Sequence, residues 1–192
     1  MAVVTLLAMR GAVAFRTAYW LGLNNEMYMT LYQTTASVQT PFSGDWEVVI
    51  NRMKDFLQLG ADPNFDGLTD PYFDRVVLLE VALRSGNGAV VKLVLDAGAR
   101  LPVGVSNMDQ FFDTVVAYCW TPAAVSDKET TMKLLAPVTK FVKTLHDNHQ
   151  WRRRCDRTID DWAVESTTYG RKPPGWIRDA LDNLRSANAR RL

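Results

Sequence analysis

Met53-Lys54-Asp55-Phe56-Leu57-Gln58-Leu59-Gly60-Ala61 and Val91-Lys92-Leu93-Val94-Leu95-Asp96-Ala97-Gly98-Ala99 are two versions of one phrase, set 38 residues apart. Lys, Leu, Gly and Ala coincide in register, while Met53/Val91 and Phe56/Val94 agree in apolar character. Each version reads as an apolar helix halted at glycine, which accepts the left-handed backbone that follows a helix. Ala61-Asp62-Pro63-Asn64 then forms a turn signal, because proline has no N–H with which to continue a helix. Recurrence at this period is the mark of a repeat architecture. A two-helix unit cannot bury its apolar face alone, so it needs neighbours stacked on both sides.

The surrounding residues give the repeat a family likeness. Gly60-Ala61-Asp62-Pro63-Asn64 resembles the Gly-Ala-Asp-x-Asn that opens an ankyrin hairpin. Val77-Leu78-Leu79-Glu80-Val81-Ala82-Leu83-Arg84-Ser85-Gly86 is similar to the family's Thr-Pro-Leu-His-x-Ala-x-x-x-Gly, with identity at Leu79, Ala82 and Gly86. Glu80 stands where His is usual, and Val77 and Leu78 replace Thr-Pro. Asn87 to Ala99 follows the family's second helix and its Gly-Ala close. Gly60 and Leu79 are 19 residues apart, against about 14 in the family, so the repeat carries an excess of about five residues. Insertions in such repeats map to loops, which predicts an enlarged hairpin between Asp62 and Arg75. The likeness is strong over roughly residues 46–100.

Working outward, Phe111, Phe112, Val115, Val116 and Cys119 fall on one face of a helix between Asp109 and Trp120. Ser126-Asp127-Lys128-Glu129 resembles a capping box opening a helix through Met132, Leu134 and Leu135. Pro137 is expected to end or kink that helix, with a further one running to about His146. Together these read as a degenerate third repeat. Upstream, Thr5–Phe15 and Phe15–Leu23 are candidates for a degenerate first pair, with Gly22 placed 38 residues before Gly60. Downstream, Ile177, Ala180, Leu181 and Leu184 share a face of an amphipathic helix that either caps the array or docks on another subunit.

Composition excludes several classes. With 192 residues, 47% hydrophobic and 22% charged, the chain is ordinary for a globular protein. The net charge of +1 hides an asymmetry. Asp45 to Asp127 holds twelve acidic and six basic residues, while Trp151 to Leu192 holds ten basic and six acidic. Two cysteines, Cys119 and Cys155, make no disulfide framework and no zinc spacing, which suits a reducing, intracellular compartment. No apolar run approaches the roughly 18 residues a membrane helix needs. Ala2–Met9 is apolar and Ala12-Val13-Ala14 resembles a signal cleavage site, but no positive residue precedes the run and Arg10 interrupts it. A buried first helix is therefore preferred to a secretory leader.

Chemistry-bearing clusters compete with plainer readings. Asp62-Pro63-Asn64-Phe65-Asp66-Gly67 matches the opening of a calcium-binding loop, with Asp70 at the ninth position. The twelfth position is Phe73 instead of the bidentate glutamate, and Asp62 and Asn64 already serve the hairpin turn. His146, His149 and Cys155 lack a fourth ligand for structural zinc. Cys155 beside Arg152, Arg153 and Arg154 could have a lowered pKa, but no nucleophile signature surrounds it. Trp151-Arg152-Arg153-Arg154 has nucleic-acid composition, yet Asp156, Asp160 and Asp161 follow to pair with it. No Gly-rich phosphate loop occurs. The enlarged hairpin holds Asp62, Asp66, Asp70 and Asp74 around Phe65, Leu68, Tyr72 and Phe73. Those aromatics either anchor a partner within an acidic rim or fold back onto the helices.

The expectation is a mainly α, ankyrin-like repeat solenoid with divergent capping helices at both ends. It divides into residues 1–45 (cap or degenerate repeat), 46–146 (repeats) and 147–192 (capping or docking helices). The resemblance implies a non-catalytic adaptor or scaffold without a cofactor, binding a protein with a basic or mixed patch. Membrane, nucleic acid and small molecules are not the expected partners. The implied contacts are Asn64, Phe65, Asp66, Asp70, Tyr72 and Phe73 on the hairpin, with Glu80, Leu83 and Arg84 on the following inner helix. The competing class is an enzyme or toxin with chemistry near Cys155, or a nucleic-acid-associated subunit using the basic C-terminal region.

Overall fold

The computed structural model describes residues 19–35, 45–65, 76–101, 105–144, 157–164 and 174–189. Every regular element among them is a helix. In chain order these are α1 (residues 19–35), α2 (Trp46–Gln58), α3 (Leu78–Arg84), α4 (Gly88–Asp96) and α5 (Val105–Cys119). There follow α6 (Pro122–Ser126), α7 (Lys128–Thr144), α8 (157–164) and α9 (Gly175–Ala189). The chain divides into two compact units, Met1–Leu78 and Leu79–Leu192, so the division falls at the start of α3.

In the first unit, α1 buries Leu23, Met27 and Leu31, spaced four apart on one face. The helix runs straight through Gly22. Gly22 is therefore no helix stop, and the correspondence with Gly60 suggested by their spacing does not hold. Helix α2 starts at Asp45, whose carboxylate accepts the Glu47 N–H at 2.8 Å, and buries Val49 and Met53.

The two copies of the repeated phrase end alike. Leu59 and Ala97 both have φ −72° and ψ −5°, and Gly60 and Gly98 follow at φ 92° and 93°. The Gly60 and Ala61 N–H groups donate to the Leu57 and Phe56 carbonyls at 3.0 and 2.9 Å. The Gly98 and Ala99 N–H groups donate to Leu95 and Val94, both at 3.1 Å. This is the Schellman pairing, reproduced bond for bond.

In the second unit, α3 ends by a variant of the same device. Gly86 (φ 65°) donates to the Leu83 carbonyl, but the Asn87 N–H goes to the Ser85 hydroxyl at 3.1 Å. That hydroxyl donates to the Ala82 carbonyl at 2.6 Å, so Ser85 relays the bond a Schellman turn makes directly. Asn87 then caps α4, its side-chain oxygen accepting from the Ala89 and Val90 N–H groups.

The expected stripe of α5 is in place: Phe111, Phe112, Val115, Val116 and Cys119 are all buried. Each large apolar side chain of this kind contributes about 1.5–3 kcal/mol relative to exposure. Thr121 caps α6 with Pro122 at the first position. The capping box before α7 sits one residue later than its sequence suggests. Asp127, not Ser126, accepts the Thr130 N–H at 3.0 Å and the Thr130 hydroxyl at 2.7 Å. Nor does Pro137 end the helix, since α7 continues to Thr144. Pro137 is solvent-exposed, so water can satisfy the carbonyl that loses its partner. Helix α7 packs on α4, α6 and α9, burying Leu134, Leu135 and Val138. Asp96 of α4 accepts from both Lys92 and Lys133 at 2.6 Å. Helix α9 buries Ile177, Leu181 and Leu184, and the Lys128 ammonium lies 5.9 Å over the Trp176 ring.

Candidate functional site

One stripe of α1 holds Gly60 to Phe65, the opening of the segment whose sequence reads as an enlarged hairpin. Trp20, Asn24 and Tyr28 recur four residues apart and meet Gly60, Asp62 and Phe65 in turn. The Trp20 indole lies so close to Gly60 that a Cβ there would sit 2.6 Å from Cη2 and 2.8 Å from Cζ3. The Asp62 N–H donates to Asn24 Oδ1 at 2.8 Å. The Tyr28 and Phe65 rings meet edge-on, with centroids 6.3 Å apart and planes at 76°. Within the stem, Asp62 Oδ1 accepts the Asn64 N–H at 2.9 Å, and the Phe65 N–H reaches the Asp62 carbonyl at 3.1 Å. Such an Asx turn explains both residue types locally.

The stem also closes. The Leu78 N–H donates to the Phe65 carbonyl at 3.3 Å, so the chain leaves at Phe65 and is tied back to it at Leu78. Of the expected hairpin contacts, Asn64 is exposed and Phe65 half-buried against Tyr28. Asp66, Asp70, Tyr72 and Phe73 lie outside the described residues, as do the remaining candidate calcium ligands.

The expected contacts on α3 separate by burial. Glu80 and Leu83 are 3% and 2% exposed, whereas the Arg84 side chain is 41% exposed. Only Arg84 therefore presents itself to solvent. One turn apart on the helix, Arg84 Nη2 donates to Glu80 Oε1 at 2.5 Å. Burial pushes the Glu80 carboxyl above its ordinary range, while Arg84, Gln110 and Thr114 pull it back down. Gln110 and Thr114, four residues apart on α5, are the other side chains near enough to favour the ionised carboxylate.

Beside this pair a groove of about 420 Å³ opens between α3 and α5. Leu83, Arg84 and Gly86 form one side. Gln110, Asp113, Thr114 and Ala117 recur along the α5 side, leading to Tyr118 and Thr121. Asp113 accepts the Thr158 hydroxyl at 2.9 Å, tying α8 to α5. Tyr118 is 1% exposed, and its hydroxyl is buried without a hydrogen-bond partner among the described residues. Burial pushes that phenol up to about 12, so it remains a donor at neutral pH. Sequence does not single out the α5 contribution, although polar and small residues at 110, 114 and 117 trace one helical face.

Cys119 is fully buried, and desolvation raises its thiol to about 12, the opposite of what a nucleophile needs. His146, His149, Cys155 and Trp151 to Arg154 lie outside the described residues. Among the described residues, no group of three or more His, Cys, Asp or Glu converges in a way that could hold a metal ion. No described helix is long and apolar enough to cross a membrane. Compared with protein-family models, curated proteins and solved structures, the chain finds no match.

Proposed function

We propose that this chain is a non-catalytic, ankyrin-like binding module that holds a partner protein, with residues 66–77 as its principal contact loop. The observation that carries the reading is the closed stem: Phe65 and Leu78 are joined by a hydrogen bond, and α1 grips the stem at three successive points. A loop inserted on a fixed base can vary in sequence without disturbing the helices beneath it, which is where binding residues concentrate. The inserted segment carries Asp66, Asp70 and Asp74 with Tyr72 and Phe73, a mixture of steering charge and aromatic anchors. The matched helix ends at Gly60 and Gly98 support the repeat character of the scaffold. The partner is a protein with a basic or mixed patch, met in a reducing compartment.

The test compares the wild-type chain with an Asp66→Lys/Asp70→Lys/Phe73→Ala variant, both first shown to be folded by circular dichroism. Each is used to capture partners from native lysate, and recovered complexes are cross-linked and mapped by mass spectrometry. Loss of the partner in the variant, with cross-links in residues 66–77, is the expected result. Equal recovery, with cross-links elsewhere, would remove the loop from the binding site.

A further inference from the structure

We draw no further inference here: the strongest candidate, the groove of about 540 Å³ between α1 and α2 lined by Glu26, Met29, Val48 and Arg52, carries nothing because nothing in the structure shows what covers it.

Discussion

Gly60 and Gly98 form a natural pair of controls, because their backbones are nearly identical and their surroundings are not. Both have φ close to 92°, so replacing either with alanine puts a Cβ into a left-handed conformation at about 1–2 kcal/mol. At Gly98 nothing lies within 4 Å of the new methyl, so Gly98→Ala should cost that backbone strain and no more. At Gly60 the methyl would meet Trp20 Cη2 at 2.6 Å and Cζ3 at 2.8 Å. The indole must move, and overpacking of this kind adds about 1–3 kcal/mol. Gly60→Ala is therefore expected to cost about 2–5 kcal/mol in all. Urea unfolding followed by circular dichroism measures both variants without depending on a tryptophan signal. Adding Trp20→Ala closes a double-mutant cycle: in that background the Gly60→Ala increment should fall back to about 1–2 kcal/mol. Equal costs for Gly60→Ala and Gly98→Ala, or an unchanged increment without Trp20, would refute the contact between α1 and the hairpin stem.

Two further outcomes follow from buried groups. Glu80 has its pKa raised above 4.5, first by burial. Its contribution to stability is thus fully present below that value and is lost as pH rises through the raised one. The stability of wild type minus that of Glu80→Gln should fall as pH rises from 4.5 through the raised value and then level off; a difference that rises with pH would contradict the burial. The subtraction cancels the carboxylates Asp96 and Asp127, which shift the other way through their hydrogen bonds to Lys133, Lys92 and Thr130. Cys119, with its thiol near 12, holds only about one thiolate in a hundred thousand at neutral pH. Iodoacetamide should label it after unfolding in urea and not before, read as a mass shift on its peptide; rapid labelling of the native chain would show that α5 opens.

Much of the helical framework was legible from residues alone. The glycines that end α2 and α4, Asn87 at the start of α4, and the stripe from Phe111 to Cys119 all stand where the sequence places them. These features are local, set by which residues tolerate positive φ, which side chains reach the first free N–H groups, and which positions share a helical face. Where local rules competed, reading failed by small margins. Ser126 and Asp127 can both cap a helix, and Asp127 prevails because Thr130 returns its bond through both backbone and hydroxyl. Pro137 reads as a residue that ends or kinks the helix, and α7 runs on past it with Pro137 facing solvent.

The candidate sites depended on something else. Sequence marks Glu80, Leu83 and Arg84 as equals on one inner helix, yet two are buried and one is exposed. Near the buried Glu80 carboxyl lie Gln110 and Thr114 of α5, residues about thirty positions away along the chain. The same holds for Phe65, drawn onto Tyr28, and for Gly60, covered by Trp20. By itself the sequence determined several of the helices, the glycine-bounded ends of α2 and α4 and an acidic, aromatic segment between α2 and α3, since each follows from the chemistry of neighbouring residues. Only the tertiary structure decided which charges lose their water and which stay in contact with it, because desolvation is set by whatever distant part of the chain comes to lie on top.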